Sequence, residues 1–460
     1  MKILFCSSEI APFAKTGGLA DVSSALPQAL ERLGCRVHVA LPKYRCVRQK
    51  AQDARMGKDI DVHLIENDRY FNREGLYGEI QGDYPDNLER FAFFCRQILE
   101  FIKKIDFKPD IIHCNDWQTA LIPVYLKTKF SDDPFFARTE AVITIHNLAY
   151  QGIFDKSKFP QTGLDWRFFN AGGLKFHGKV NLLKGGLLFS RFITTVSQTY
   201  AREIQTPRFG CGLDGVLRKR KKDLLGIING LDYEVWNPTR DNEIFQRYSK
   251  ENLDNKYVNK ERLQQQLSLP CGRDIPLLGI VTRLAEQKGI ELIISALDKI
   301  ARLDLQFILL GTGNIKYLKL LEKINQKGYK NISINLRFDP ILAHRIYAGC
   351  DMFLMPSNFE PCGLGQLISL KYGTIPIVRK TGGLADTITD YNPEDETGNG
   401  FVFKKYKSEH MLQAIMRAVA LHRDRERWQK LMRRAMDYDF SWENSAKKYI
   451  GLYNRALNEK

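Results

Sequence analysis

Cationic side chains stand where a strand in the second half of the chain is predicted to end. Arg283 and Lys288 follow the apolar run Leu277–Thr282, which is typical of a buried parallel strand. Ligands of open α/β sheets bind at the carboxyl ends of strands. Two cations there suit a diphosphate, because arginine offers forked hydrogen bonds and lysine supplies a point charge. The alternative is a solvated surface loop with an ion pair to Glu286.

Glu360 stands in a glycine-rich turn after another predicted strand, Met352–Met355. A carboxylate presented there can accept hydrogen bonds from sugar hydroxyls, and the main-chain amides of Cys362, Gly363 and Leu364 can donate them. The pattern is therefore that of a sugar-binding turn. The alternative is an acidic residue at a helix N-terminus, where the helix dipole favours negative charge.

One heptapeptide, Lys-Thr-Gly-Gly-Leu-Ala-Asp, occurs at residues 15–21 and again at 380–386. Each copy lies beyond a predicted strand and before a helix-like run, which indicates two similar halves. A pair such as Gly17-Gly18 at a helix start exposes amides that no intrahelical carbonyl accepts, and the helix dipole adds positive charge. With Lys15 beside it, this loop suits phosphate. The alternative is a tight turn without a ligand.

Two further strand ends carry polar residues. His146 follows the run Ala141–Ile145, and Asp116 and Trp117 follow the run Asp110–His113. A carboxylate accepts hydrogen bonds from hydroxyls and an indole offers an aromatic platform, so this pair suits carbohydrate. The alternatives are a structural histidine and a half-buried tryptophan of the core.

The composition is that of a globular protein with several domains. The chain has 460 residues, 44% hydrophobic and 27% charged, which excludes a disordered or fibrous protein. Its nine cysteines are scattered without a C-x-x-C pair, and its eight histidines show no H-E-x-x-H spacing. We therefore expect neither a disulfide scaffold nor a structural metal.

We expect no secretory signal, since residues 1–9 contain no long apolar segment and no small-residue cleavage site. No run reaches the roughly 18 apolar residues of a membrane span. We expect a cytoplasmic protein that does not bind a membrane. A net charge of +16 and the basic run at 218–222 raise the alternative of a nucleic-acid-binding protein. The run has no interleaved aromatic residues, so we expect a solvated helix end and no nucleic-acid partner.

Short apolar runs alternate with longer amphipathic stretches such as Ser23–Leu33 and Glu291–Arg302. This βαβα alternation predicts doubly wound parallel sheets, and two series of strands predict two such domains. The first series is Lys2–Phe5, Val37–Leu41, Asp110–His113, Ala141–Ile145, Phe192–Val196 and Gly226–Asn229. The second is Leu277–Thr282, Gln306–Leu310, Ile332–Asn335, Met352–Met355, Ile375–Val378 and Phe401–Phe403.

A turn-rich hinge is predicted at Trp236–Asp241, after the last strand of the first series. We therefore predict an N-terminal Rossmann-like domain over residues 1–240 and a C-terminal Rossmann-like domain over residues 241–439. The tail, residues 440–460, is predicted to be a terminal helix.

Together these features resemble the bacterial glycogen synthases and plant starch synthases, which elongate glucans with ADP-glucose. The resemblance runs from Met1 to about Tyr453. It rests on segments in the expected order: Lys15–Asp21, Asn115–Gln118, His146–Gly152, Gly226–Asp232, Arg283–Gly289, Glu360–Gly365 and Thr381–Asp386. It implies a GT-B fold of two Rossmann-like domains facing across a cleft, with the acceptor side in 1–240, the donor side in 241–439, and 440–460 packing back on the first domain.

The implied reaction adds glucose from ADP-glucose to the non-reducing end of an α-1,4-glucan such as glycogen, releases ADP, and retains the anomeric configuration without a metal or other cofactor. By the resemblance, the catalytic residues are Lys15, His146, Arg283, Lys288 and Glu360. The implied substrate-binding residues are Lys15, Gly17, Gly18, Asp21, Asp116, Trp117, Asn229, Cys362, Gly363, Leu364 and Thr381.

The resemblance also distributes these roles. It implies that the donor diphosphate and the departing ADP are bound by Lys15, Gly17, Gly18, Arg283 and Lys288. The donor glucose would contact Glu360 and His146, with Asn229 and Asp21 around it. The acceptor glucan would lie near Asp116, Trp117 and Tyr77. The sequence offers no convincing carboxylate nucleophile of the kind that a retaining glycosidase uses. The hypothesis is therefore that attack and departure occur on the same face of the sugar.

The chain departs from its relatives at a few positions. Asn115 and Gln118 stand where many relatives carry histidine, on the acceptor side. Ile368 stands where a wider retaining glycosyltransferase pattern has a second glutamate, and Phe338 is a candidate to stack on the adenine. Two alternatives stay open: a UDP-glucose donor on the same fold, and a catalytically silent glucan-binding protein. The sequence makes no prediction of the oligomeric state.

Overall fold

The computed structural model describes residues 1–49, 54–57, 59–79 and 82–459. Within this part of the chain there are two compact units, Met1–Gly230 with Trp442–Lys460 and Leu231–Ser441. The predicted hinge at Trp236–Asp241 lies inside the second unit, and Lys460 lies outside the described residues. The assignment of function to residues 1–240, 241–439 and 440–460 stays a prediction.

Parallel strands form the main sheet of the first unit. The strands of this unit are β1 (Lys2–Cys6), β2 (Arg36–Pro42), β3 (Arg55–Met56), β4 (Ile60–Ile65), β5 (Gly78–Glu79), β6 (Gly82–Asp83), β7 (Ile111–Asn115), β8 (Glu140–Ile145), β9 (Ile153–Phe154), β10 (Lys175–Phe176), β11 (Lys179–Asn181), β12 (Phe192–Thr195) and β13 (Leu224–Gly226). The described strands of the main sheet have the order β13-β12-β8-β7-β1-β2-β4-β3, and the β3–β4 pair is antiparallel. Because the chain winds in opposite directions from β1, the loops after β1 and β7 diverge at a topological switch point.

The second unit repeats this design. Its strands are β14 (Leu277–Val281), β15 (Gln306–Leu310), β16 (Ile332–Asn335), β17 (Met352–Met355), β18 (Ile375–Arg379) and β19 (Phe401–Phe403). The described strands pair in parallel in the order β16-β15-β14-β17-β18-β19. The loops after β14 and β17 therefore flank the switch point of this sheet.

Helices connect the strands in both units. The first unit contains α1 (Gly18–Arg32), α2 (Asp68–Phe71), α3 (Asn87–Lys104), α4 (Leu121–Leu126), α5 (Leu182–Phe189), α6 (Gln198–Glu203), α7 (Asp214–Lys219) and α16 (Trp442–Asn458). The second contains α8 (Asp254–Gln266), α9 (Ile290–Ile300), α10 (Ile315–Asn325), α11 (Pro340–Gly349), α12 (Gly365–Lys371), α13 (Gly382–Thr387), α14 (Ser408–His422) and α15 (Arg425–Asp437). None of the helices in the described residues is long and apolar enough to cross a membrane.

One predicted strand differs from the structure, and one strand was not predicted. The predicted strand Gly226–Asn229 is wrong, because β13 ends at Gly226 and its apolar residues precede that glycine. The strand that was not predicted is β4, in which Asp61 and His63 interrupt the apolar residues and conceal the strand.

The basic run at 218–222 ends α7, as predicted, but one of its residues is not solvated. The Arg220 guanidinium donates hydrogen bonds to main-chain carbonyls of Leu187, Ser190 and Arg191 at 2.7–2.9 Å. These carbonyls lie at or just beyond the end of α5, where a cation satisfies unpaired acceptors and complements the helix dipole. Part of the basic run therefore serves the fold.

A buried histidine fixes the terminal helix to the first sheet. The His113 ring on β7 forms hydrogen bonds of 2.6 Å to the hydroxyls of Tyr453 on α16 and Thr144 on β8. Burial lowers the pKa of His113 to about 3, so the ring is neutral at physiological pH. This contact places Trp442–Lys460 in the first unit although it follows the second unit in sequence.

Candidate active-site residues

A buried carboxylate, that of Glu9, organises the loop between β1 and α1. Glu9 is 4% exposed. It accepts hydrogen bonds from the amide and hydroxyl of Thr16, both at 2.6 Å, from the amide of Gly17 at 3.0 Å and from the hydroxyl of Tyr77 at 2.8 Å. Four donors thus satisfy the buried carboxylate. Glu9 was not predicted from the sequence, because its only signal there is that of one acidic residue shortly after a predicted strand.

The first Gly-Gly pair, Gly17-Gly18, faces open space, and one of its two amides already has an acceptor within the protein. The Gly17 amide donates to the Glu9 carboxylate in this structure, and its contact with a diphosphate stays a prediction. The Gly18 amide has no acceptor among the described residues, and a Cβ on either glycine would meet nothing within 4 Å. Lys15 forms an exposed ion pair with Asp21 at 2.6 Å, and such a pair opens at little cost when an anion competes.

The second Gly-Gly pair has a different task. A Cβ on Gly382 would lie 1.9 Å from the carbonyl oxygen of Glu360, and one on Gly383 would lie 2.0 Å from that of Cys362. The Gly383 amide also donates to the Glu360 carbonyl at 3.0 Å. These glycines therefore permit the Glu360 turn to pack on the start of α13. Thr381 is completely buried there, so its predicted contact with substrate is not supported.

The structure brings two predicted catalytic residues into direct contact. The Lys288 ammonium lies 2.6 Å from Glu360 Oε2, with the two side chains 19% and 6% exposed. The Ser357 hydroxyl donates to the same carboxylate oxygen at 3.0 Å. The other oxygen, Oε1, has no donor among the described residues. One face of the carboxylate is thus held by protein, and the other can accept a ligand hydroxyl.

The loops after β14 and β17 hold each other in place. The Asn358 amide donates to the Gln287 carbonyl at 2.8 Å, and the Arg379 side chain donates to the Ser357 carbonyl at 2.7 Å. Gly289 has φ +71°, and a Cβ there would lie 2.1 Å from the carbonyl oxygen of Pro356. This close approach requires glycine and sets the Lys288–Glu360 distance.

A cavity of about 230 Å³ opens between these loops, at the switch point of the second sheet. Its lining includes Arg283, Lys288 and the turn Gly363–Gly365. Arg283 is exposed, and its guanidinium has no ion pair in the described residues, so the alternative pair with Glu286 does not form. The amides of Gly363 and Leu364 also have no acceptor there. Cations and free donors converge on one cavity, which suits an anionic ligand.

In the first unit, Asp116 positions His146. The Asp116 carboxylate accepts the His146 amide at 2.8 Å, and Asn115 Oδ1 lies 2.9 Å from His146 Nε2. Because the Asn115 amide group donates to the carbonyl of Cys6, its oxygen faces the ring and accepts from Nε2–H. Burial lowers the pKa of His146 to about 3. The ring is therefore neutral, with Nδ1 as an acceptor.

Asp116 itself is unusual in two respects. Burial raises its pKa to about 7, partly offset by hydrogen bonds from the amides of His146 and Asn147. Its backbone has φ +55° and ψ −169°, a conformation that costs a non-glycine residue on the order of 1–3 kcal/mol. Strain held at a strand end by surrounding structure is characteristic of functional sites.

Trp117 belongs to the core. It is 8% exposed and packs edge-on against Phe91 at 5.0 Å between ring centroids. A Cβ on Gly152 would lie 2.5 Å from the indole. The predicted platform for glucan is therefore wrong, and the alternative of a core tryptophan is correct.

Other predicted positions differ in exposure. Asn229 is 6% exposed, and its Oδ1 has no hydrogen-bond partner among the described residues, as expected of a group that awaits a ligand or water. Phe338 is 83% exposed on the loop after β16, so its ring is free to stack on a base. The described residues contain no cluster of three or more His, Cys, Asp or Glu side chains that could hold a metal.

Comparison with protein families gives matches in both units. A family described as "Starch synthase catalytic domain" matches residues 2–219, and one described as "Glycosyl transferases group 1" matches residues 262–434.

Similar proteins match the whole chain. A protein named glycogen synthase 2 from Geobacter sulfurreducens is 50% identical, with 100% of both chains covered. A glycogen synthase from Thermotoga maritima is 45% identical, with 99% of both chains covered. The catalytic domain of starch synthase IV from Arabidopsis thaliana, solved with ADP and acarbose, is 35% identical with a TM-score of 0.90 over 99% of both chains.

Proposed function

This chain belongs to the glycogen and starch synthase family of GT-B glycosyltransferases, and from that premise we propose that it elongates an α-1,4-glucan with glucose from ADP-glucose. Glucose joins the non-reducing end, ADP leaves, and the anomeric configuration is retained. The observation that carries the proposal is the cavity of the second unit, which Arg283 and Lys288 line at a sheet switch point and where Lys288 contacts Glu360.

Arg283 and the free amides of Gly363 and Leu364 bind the diphosphate of the donor. As the bond to the sugar breaks, negative charge grows on the phosphate and positive charge on the sugar ring. Donors that are already in place stabilise this charge without reorganisation. Lys288 adds a positive charge, which the negative charge of Glu360 partly neutralises.

Glu360 holds the donor glucose through Oε1, while Lys288 and Ser357 fix Oε2. A carboxylate fixed in this way accepts a sugar hydroxyl in one orientation only. In the first unit, the neutral His146 offers Nδ1 as an acceptor for a hydroxyl of the substrate. The roles of Lys15, Gly18, Asp21 and Asn229 at the substrate are further parts of the proposal.

The reaction proceeds without a covalent sugar–enzyme intermediate. The acceptor hydroxyl attacks on the face from which ADP departs, and its proton passes to the leaving phosphate. In this proposal the free oxygen Oε1 of Glu360 accepts a hydroxyl of the donor glucose and does not attack its anomeric carbon. A glucosyl adduct on any side chain, trapped and identified by mass spectrometry, would contradict this step.

The proposal is tested by glucose transfer to glycogen from radiolabelled ADP-glucose and UDP-glucose in parallel, with EDTA present. We expect preferential transfer from ADP-glucose. Preference for UDP-glucose would overturn the donor, and loss of transfer with EDTA would overturn metal independence. Binding of ADP without transfer from either donor would favour the silent glucan-binding alternative.

We also propose a cytoplasmic location. All nine cysteines lie in the described residues and have free thiols, as is usual in a reducing compartment.

A further inference from the structure

One tyrosine lines the cavity of the second unit. Tyr347, on α11, lines the cavity and is 4% exposed. Its ring packs against Phe353 at 4.7 Å and against Trp236 at 5.5 Å between centroids. Aromatic neighbours hold the ring in place, so the hydroxyl has a fixed direction.

The Tyr347 hydroxyl has no hydrogen-bond partner among the described residues, although its tyrosine neighbours do. The Tyr372 hydroxyl donates to Asp241 at 2.5 Å, and that of Tyr248 donates to a main-chain carbonyl at 2.7 Å. The Tyr44 and Tyr391 hydroxyls are fully enclosed and unpaired within the described part of the chain, whereas the Tyr347 hydroxyl is not fully enclosed and belongs to a residue that lines the cavity. A group left unsatisfied in a cavity wall is therefore a candidate for a ligand contact.

The backbone of Tyr347 is anchored from behind the cavity. The Thr374 hydroxyl donates to the Tyr347 carbonyl at 2.5 Å, and the buried Lys256 ammonium donates to the Ala348 carbonyl at 2.8 Å. Both contacts satisfy carbonyls in the last turn of α11. The position of the phenol is therefore fixed before a ligand binds, which lowers the entropic cost of using it.

The surroundings of the hydroxyl indicate its ligand. It lies 3.3 Å from the place that a Cβ on Gly365 would occupy, and Gly365 also lines the cavity with an amide that has no acceptor among the described residues. Arg283 and Lys288 line the same cavity. Donors and cations together favour a group that only accepts hydrogen bonds and is negatively charged.

We propose that the Tyr347 hydroxyl donates a hydrogen bond to a diphosphate oxygen of the nucleotide donor. This inference rests on the proposed function, since it assumes a nucleoside diphosphate in the cavity. Burial raises the pKa of Tyr347, so the phenol keeps its proton and remains a donor at physiological pH.

The test is the Tyr347→Phe variant, titrated calorimetrically with ADP and with adenosine. The ring stays, so its packing is kept. We expect the dissociation constant of ADP to rise about tenfold, since a hydrogen bond to a charged group is worth one tenfold step or more. Adenosine, which lacks the diphosphate, should bind equally to both proteins. An ADP constant within twofold of the wild type, or an equal loss for adenosine, would overturn the inference.

Tyr317→Phe is the matched control. Tyr317 is also 4% exposed and lies in the same unit, but its hydroxyl donates to Glu291 at 2.9 Å and it does not line the cavity. We expect this variant to bind ADP with the wild-type dissociation constant and to have a lower melting temperature, because it loses the hydrogen bond to Glu291. Tyr347→Phe should keep the wild-type melting temperature, because its hydroxyl has no protein partner to lose.

The titration also separates failure of the inference from failure of the proposed donor. If the wild type binds UDP in place of ADP, the proposed donor is wrong, and a tenfold loss of UDP affinity in Tyr347→Phe still supports the hydroxyl–diphosphate contact. If the wild type binds neither nucleotide, both the function and the inference are wrong.

Discussion

The buried pair of Lys288 and Glu360 leads us to predict that these residues act as one unit, so their substitutions should not be additive. Their charged atoms are 2.6 Å apart, and the side chains are 19% and 6% exposed. Removing either member takes away a charge that is positioned for the transition state, a loss that costs about 2.7–4 kcal/mol of activation free energy. At 1.36 kcal/mol per tenfold change in rate, each single variant should lose roughly 10²–10³ in kcat/KM.

The double variant gives the decisive comparison. Independent effects would multiply to a loss in kcat/KM of roughly 10⁴–10⁶. Because one partner has nothing to pair with once the other is gone, we expect Glu360→Gln with Lys288→Met to lose little more than the worse single variant. The assay is ADP release during glucan elongation at subsaturating donor.

The affinity for ADP provides a second test of the coupling between Lys288 and Glu360. Glu360→Gln frees the ammonium and should bind ADP at least as tightly as the wild type. Lys288→Met leaves a carboxylate near the diphosphate and should bind ADP more weakly, and the double variant should recover part of that loss. Multiplicative kcat/KM losses, or a double variant that binds ADP no better than Lys288→Met, would refute the reasoning.

Three further predictions concern residues around the site. Glu9→Gln should lower kcat/KM about tenfold or more, because an amide side chain cannot accept hydrogen bonds from all four donors at Glu9. An unchanged kcat/KM would contradict the role of Glu9 in positioning the loop between β1 and α1. Gly383→Ala should lower the melting temperature by several degrees at a cost of about 1–3 kcal/mol, whereas Gly18→Ala, at the same place in the first heptapeptide, should not, since only Gly383 faces a carbonyl at 2.0 Å. Burial lowers the pKa of Lys256 to about 7 from 10.5; the unfolded chain therefore binds the extra proton between these values, and stability rises with pH across that window. Melting curves should show the wild type gaining on Lys256→Met from pH 7 to 10, and a falling difference would contradict this assignment.

Local sequence determined much of the fold. The runs Gln306–Leu310, Met352–Met355 and Phe401–Phe403 are strands with the predicted bounds, because nearly continuous apolar residues suit a strand covered on both faces. The β4 strand escaped because its polar residues break that signal.

Residues that follow a strand were also found from sequence, because parallel strands bring their carboxyl ends to one sheet edge. Arg283, Lys288 and Glu360 were selected on this basis, and the structure places all three at one switch point. The spacing of 72 residues between Lys288 and Glu360 carries no hint of their contact.

The sequence by itself determined the strand and helix types, the doubly wound class and the identity of the charged groups at strand ends, since these depend on local pattern and composition. Only the tertiary structure decided how those groups are used. The two identical heptapeptides show the reason: Gly17 and Gly18 meet open space, whereas Gly382 and Gly383 pack on the Glu360 turn. What a residue does depends on the neighbours that the fold brings to it, and those neighbours come from distant parts of the chain.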